Sequence, residues 1–229
     1  LFQKITLKRK PIENVANYIR NNNMKDSIFS RFKNYERKNI EKFDLSNELP
    51  HWLGPYKLMV EFFFPIFLHI ILKRKDVYDK IKKELNTSML NLKGKRSYIH
   101  YSVIEFFRLF NLITVQGGRL SENNIKYKNI TFPKGAELQM HLSTLLRDEN
   151  DFKNPDDFIP ERWENKSIEE QHIVFGFGKQ RCPSINFSPL IFKCLLHILL
   201  TKFEYKLNKK QYSDTRVPHW IDGFNLKFK

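Results

Sequence analysis

Apolar residues recur at helical spacing over most of the chain and at strand spacing only near its middle and its end. Val15, Tyr18 and Ile19, then Ile28, Phe29 and Phe32, fall on helical faces in an otherwise polar stretch. They predict two amphipathic helices joined at Asn21-Asn22-Asn23. Leu49-Pro50 closes this segment, so residues 1–50 read as a polar helical part and 51–229 as the main folded part. Trp52 to Leu72 predicts a buried helix, bent or broken at Pro55 and Pro65. Its apolar run, Leu58 to Leu72, is interrupted by Glu61, Pro65 and His69. That run is shorter than the ~20 residues that span a bilayer, and a core helix is expected. Val77, Ile81 and Leu85 mark a surface helix from Asp76 to Leu85. Ile99, Val103, Phe106, Phe107 and Phe110 mark the core face of a helix from Ser97 to Phe110.

The period changes at Ile113. Ile113 to Leu120, Ile125 to Ile130 and Glu137 to His141 predict short strands, with turns at Gly117-Gly118 and Pro133-Lys134-Gly135. Residues 148–173 carry Pro155 and Pro160 and few apolar positions, and read as irregular surface. Ser188 to Phe203 is apolar on most faces and predicts a deeply buried helix, with Ser188 as its N-cap and Pro189 at its first position. In the tail, Phe224 to Phe228 alternates as an edge strand does. The expected fold is mainly α with a small β part.

With 41% hydrophobic residues and 21 Phe among 229 positions, the chain has enough apolar mass for a packed core. The net charge of +15 raises the question of a nucleic-acid partner. The lysines are dispersed rather than clustered, which reads as a solvated surface, and no nucleic acid is expected. Two cysteines, Cys182 and Cys194, make no disulfide framework. No secretory signal opens the chain, and its first residue is Leu1, so an upstream part is expected to be missing.

The chemistry concentrates in Val174-Phe175-Gly176-Phe177-Gly178-Lys179-Gln180-Arg181-Cys182-Pro183. The glycines allow positive φ and a close approach of backbone to a flat ligand. A cysteine placed just before a helix is held as thiolate by free N–H groups and the helix dipole. Such a thiolate binds ferric haem strongly. On residues alone a cysteine beside a buried helix is more often a small core residue, and Cys194, inside the apolar helix, keeps that reading. Glu105 and Arg108 share one helix face at i and i+3, a spacing that by itself means a surface ion pair. Further on stands Phe158-Ile159-Pro160-Glu161-Arg162-Trp163.

Together, in this order, these pieces resemble the cytochrome P-450 family, and the resemblance covers the chain roughly from Trp52 to its end. Phe175, Gly178 and Cys182 match the family's cysteine loop; Gln180 stands where Arg is usual and Ser184 where Gly is usual. Arg181 before the cysteine, Asn186-Phe187 after it and the stretch from Lys193 to Leu207 are similar to the sterol 14α-demethylase branch. The resemblance implies the C-terminal half of that fold, haem as cofactor and Cys182 as axial ligand of its iron. It also implies Phe175, Gly178 and Gln180 in the haem loop, Arg119 on a haem propionate and a Glu105–Arg108–Arg162 triad. On residues alone Arg119 is equally a solvent-exposed strand arginine. Gln180 in place of a charged donor forfeits part of a hydrogen bond worth ~1.5–3 kcal/mol.

As to function, the resemblance implies a monooxygenase taking electrons from a reductase and acting on an apolar, sterol-like substrate. Lys179, Arg181 and Lys193 could face an acidic donor or be ordinary surface charge. The family's oxygen-activating helix carries an acid and a Thr. Around Pro55 to Val60 neither stands in register, although Glu61 is near. Set against the family's usual length, the resemblance implies a partial member, in which the N-terminal half that normally bears the membrane anchor was either left out or lost. A non-catalytic remnant that keeps the fold and binds haem weakly is the alternative. Localisation stays open.

Overall fold

A computed structural model describes residues 14, 17, 18, 21, 54–85, 97–111, 115–178, 181–207 and 226–228. The chain divides into two compact units, Leu1–Phe63 and Phe64–Lys229. The boundary expected at residues 50 and 51, and the second predicted N-terminal helix, lie outside the described residues.

In the first unit, residues 14, 17, 18 and 21 are helical. Tyr18 is exposed rather than on a buried face, and Asn21 is helical rather than in a turn. Gly54 to Lys57 is helical and Leu58–Phe63 is a π-helix. Lys57 and Glu61 pair along it at 3.6 Å, both exposed. A wide π turn is a common way for a helix to absorb a local misfit, and here it precedes Pro65, whose ring cannot sit inside a regular α-helical ladder.

The second unit is mainly helical. Helix α1 is Phe64–Lys73, α2 is Lys75–Leu85 and α3 is Tyr98–Leu109. Ser97 caps α3, its hydroxyl accepting from the His100 N–H. Val77, Ile81 and Leu85 are the buried stripe of α2, as their spacing predicts. Helix α3 is buried along nearly its whole length, and Glu105 and Arg108 are buried with it. The helical stretch Gly54–Lys73 is 20 residues long and apolar enough to cross a membrane by length and composition, but half of it is buried inside the protein. In α1 every residue except Pro65 and Lys73 is buried, as a core helix requires.

Among the described residues the β part comprises three two-stranded antiparallel pieces. Strand β1 (Val115–Leu120) pairs with β4 (Glu137–His141), and β2 (Ile125–Tyr127) with β3 (Ile130–Phe132). β5 (Tyr205–Leu207) pairs with β6 (Leu226–Phe228). Two expectations change here. Ile125 to Ile130 is not one strand but a hairpin turning at Lys128, whose φ is +52°. Gly117-Gly118 is not a turn; it lies within β1 where the register slips between Gln116 and Arg119. Glycine inside a strand commonly marks such a bulge. A Cβ on Gly118 would collide with the Glu137 carboxylate.

A short helix α4 (Leu142–Leu145), a 3-10 turn at Pro160–Trp163 and a short helix α5 (Ile168–Gln171) follow. The 148–173 stretch is therefore only partly irregular. Helix α6 runs Phe187–Lys202. Its N-cap is Asn186, not Ser188, so Pro189 falls at the third position, still within the first turn where its missing N–H costs nothing. The expected deep burial is one-sided: Pro189, Phe192, Leu196 and Leu200 face the core while Ile198 is exposed.

Phe192 is the centre of the core. Its ring lies 5.4 Å from Phe64, 5.4 Å from Phe67, 5.8 Å from Phe106 and 5.2 Å from Phe107. Aromatic pairs at such separations add roughly 0.5–1.5 kcal/mol each beyond area burial. The cluster ties α1 and α3 to α6, and Phe107 carries it onward to Phe175 at 5.4 Å.

Candidate functional site

The cysteine loop starts where this core ends. The 3-10 turn His172–Phe175 delivers Phe175 into the core against Phe107. The backbone then reverses through Gly176, at φ 80° and ψ 178°, and Gly178, at φ 75°. These angles lie in the region open to glycine and costly to other residues. The Arg181 N–H donates to the Gly178 carbonyl at 3.2 Å, and the Cys182 N–H to the Phe175 carbonyl at 2.9 Å. The second bond closes the loop and returns the cysteine to the residue that is anchored in the core. Cys182 is half-buried and free, not sealed inside packed side chains. Phe177 projects outward and is 58% exposed.

Beyond the cysteine, tandem turns lead into α6: Ile185 N–H donates to the Cys182 carbonyl at 3.4 Å and Phe187 N–H to the Ser184 carbonyl at 2.9 Å. Cys182 Sγ lies 3.0 Å from Ser184 Oγ, and Ser188 Oγ donates to Ser184 Oγ at 2.9 Å. Ser188, expected as a helix cap, is thus spent on another hydroxyl.

The structure brings Phe175, Gly178 and Cys182 together in one loop. Gln180 and Lys179 lie outside the described residues. Arg119 is placed on β1, opposite Leu138 of β4. Arg181 is exposed, whereas Lys193 is 3% exposed on the buried side of α6 and presents no charge to a surface partner. Cys194 is half-buried on α6 and free.

The second cluster supports the first. Glu105 Oε1 accepts from Arg108 at 2.8 Å, Arg162 Nε at 2.9 Å and the Ile159 N–H at 3.0 Å. Its Oε2 accepts from Arg108 Nε and from Trp163 Nε1, both at 2.8 Å. Arg108 spends its remaining donors on the carbonyls of Leu146, Pro155 and Asp157. The Phe152 ring lies under both guanidinium groups, at 5.1 and 6.0 Å. This is the expected triad with a fourth member. Sequence alone assigns Trp163 no role, although a buried indole N–H requires an acceptor and a Trp at the end of the motif is a signal for it. The network pins the irregular stretch 152–163 to α3, the same helix whose Phe107 holds Phe175.

Glu161, between Pro160 and Arg162, turns the other way. It accepts from Lys80 and from the Tyr98 hydroxyl, the latter at 3.0 Å. Burial alone raises its pKa, but the bonds from Lys80, its own backbone and Tyr98 outweigh it and hold the carboxyl below the usual 4.5. Burial first, then the bond to Glu161, pushes the Tyr98 phenol well above its ordinary value.

The Cytochrome P-450 family model matches residues 64–226. The chain belongs to the cytochrome P-450 family. It is 28% identical over 172 residues to carnosic acid synthase of Rosmarinus officinalis, covering 69% of this chain and 34% of the relative. It is 29% identical over 167 residues to the 11-hydroxysugiol 20-monooxygenase of Salvia miltiorrhiza, with 66% and 33% covered. It is 28% identical over 162 residues to cytochrome P-450 3A6 of Oryctolagus cuniculus, with 66% and 31% covered. The matched part thus spans about a third of the length of these curated relatives.

Haem is the cofactor of the cytochrome P-450 family, and the loop fits it on two observations. Cys182 is half-buried rather than fully enclosed in the core. Gly178 has no atom within 4 Å of the position a Cβ would take, so a flat group can lie close to that backbone. Among the described residues no three His, Cys, Asp or Glu side chains gather as they would for a bare metal ion.

Proposed function

We propose that this chain is the cysteine-bearing part of a haem-thiolate monooxygenase, with Cys182 as axial ligand of the haem iron. The family resemblance assigns Phe175, Gly178 and Gln180 to the haem loop and Arg119 to a haem propionate. The observation that carries this reading is the half-buried Cys182 at the end of a positive-φ glycine loop, tied back by its N–H to core-anchored Phe175. Haem bound there supplies oxygen activation, helped by electron donation from the thiolate. The chain's own residues hold and orient it: Phe107 and Phe175 keep the loop in register, and the Glu105 network keeps the surrounding backbone rigid.

Electrons come from a reductase, with Arg181 as the exposed basic residue beside the cysteine. The substrate is proposed only as apolar. The relatives above, among them one named as an 11-hydroxysugiol 20-monooxygenase, lend no support to a sterol branch. Membrane association is proposed from the family alone. One observation favours a non-catalytic remnant as second reading: the π-helical segment Leu58–Phe63 holds no Thr, and its one acid, Glu61, is exposed and paired with Lys57. Proton delivery needs an acid within reach of bound oxygen, directly or through one water.

The test is direct. The chain is purified with haemin, reduced and exposed to carbon monoxide. A red-shifted, thiolate-type Soret band that disappears in Cys182→Ala is expected; no such band in the unaltered chain removes the haem-thiolate reading. Turnover of an apolar substrate with a reductase then separates an active enzyme from a remnant.

A further inference from the structure

We propose that Ser188 and Ser184 form a two-hydroxyl relay that donates a hydrogen bond to the Cys182 sulfur and sets the reduction potential of an iron held there. The inference rests on the haem-thiolate reading and adds to it the residues that tune the ligand. Ser184 Oγ lies 3.0 Å from Cys182 Sγ. Ser188 Oγ donates to Ser184 Oγ at 2.9 Å. Having accepted that hydrogen, Ser184 turns its own hydrogen to the sulfur. A metal-bound cysteine is a thiolate with no hydrogen to give, so the direction Ser188 to Ser184 to Cys182 is the one consistent with both contacts.

The backbone holds this arrangement. Ser188 N–H donates to the Ser184 carbonyl at 2.8 Å, which sets the two serines one turn apart on one face of the entry to α6. Ser188 is 1% exposed, flanked by buried Pro189 and near buried Ile185, so water does not compete for its hydroxyl. A glycine at position 184, the usual residue in the family's loop, has no hydroxyl to offer. The relay therefore belongs to this chain's own choice of Ser184. A hydrogen bond to a thiolate draws electron density from the iron–sulfur bond and favours the reduced metal, so the relay raises the potential.

The experiment compares the haemin-loaded full chain with Ser184→Gly, Ser184→Ala, Ser184→Thr and Ser188→Ala. The readouts are the midpoint potential and the iron–sulfur stretching frequency. Gly and Ala at 184 are expected to shift the potential to more negative values and raise the stretch. Ser184→Thr, which keeps the hydroxyl, stays at the unaltered values, and Ser188→Ala shifts in the same sense as Ala at 184 but less. If one variant fails to fold, the contrast between Ala and Thr at 184, or Ser188→Ala alone, still decides. Unmoved potentials with the thiolate-type band intact overturn the relay and leave the haem-thiolate reading standing. A missing band in the unaltered chain overturns that reading first, and the relay with it.

Discussion

Trp163 Nε1 donates to Glu105 Oε2 at 2.8 Å where the carboxylate is fully buried and the indole is 2% exposed. Five donors converge on that one carboxylate: two from Arg108, one each from Arg162 and Trp163, and the Ile159 backbone N–H. A buried ion network of this kind is weak evidence for net stability, but removing one partner from it leaves an uncompensated charge.

Glu105→Gln is therefore expected to destabilise the chain by about 3–5 kcal/mol, because the Arg108 guanidinium then lies buried without its counter-charge. Trp163→Phe removes a single bond to a charged acceptor and is expected to cost about 1.5–3 kcal/mol. Urea unfolding of both variants measures the difference; equal losses would mean that Trp163 matters as much as the charge pair.

Phe192 touches four other aromatic rings. Phe192→Ala is expected to cost about 3–5 kcal/mol in transfer and cavity terms. That is a large share of the roughly 5–15 kcal/mol typical of a folded domain. Thermal unfolding with near-ultraviolet dichroism reports both the loss and the loosening of ring packing.

Gly178 adopts φ +75° with open space around it, so a side chain there is opposed by backbone strain and not by collision. Gly178→Ala is expected to cost about 1–2 kcal/mol in the loop. The strain is present in the folded loop with or without haem, so global stability falls by about that amount and haem affinity changes little. Denaturant titration measures the first and haem transfer to an acceptor protein the second.

Tyr98 and Glu161 make a pH-dependent clamp between α3 and the Pro160–Trp163 turn. The Glu161 carboxyl is held below its usual 4.5, so its contribution is fully present above that value and is lost as the pH falls through the lower folded value. The Tyr98 phenol is raised above its usual 10.0, so its contribution is fully present below pH 10.0 and is lost as the pH rises through the folded value. Glu161 is largely solvent-exposed, and its screened share is expected to be under about 1 kcal/mol. Tyr98→Phe flattens the alkaline limb of a stability–pH curve and leaves most of the acid limb, where Lys80 still pairs with Glu161.

Local pattern anticipated what depends on local geometry. Val77, Ile81 and Leu85 repeat every four residues and are the buried stripe of α2. The helix expected from Ser97 and the 137–141 strand fall where their residues place them. Glu105, Arg108 and Arg162 were legible because motif order, not spacing alone, pointed to them. The misreadings share a cause. Gly117-Gly118 can make a turn or a bulge, and the neighbour strand bearing Glu137 decides which. Ser188 can cap a helix or donate to a hydroxyl, and the turns after Cys182 decide that.

By itself the sequence determined the helical and strand periods, the apolar stripes, and the presence in order of the glycine loop, the cysteine and the triad residues. All of these are written in short stretches whose backbone preferences do not depend on distant chain. Tertiary structure alone decided that Trp163 would join Glu105 and that Lys193 would be buried rather than face a partner. Contacts such as the Trp163–Glu105 bond, across 58 positions, arise only when packing brings remote segments together, and the cost of leaving buried polar groups unpaired then selects the partner.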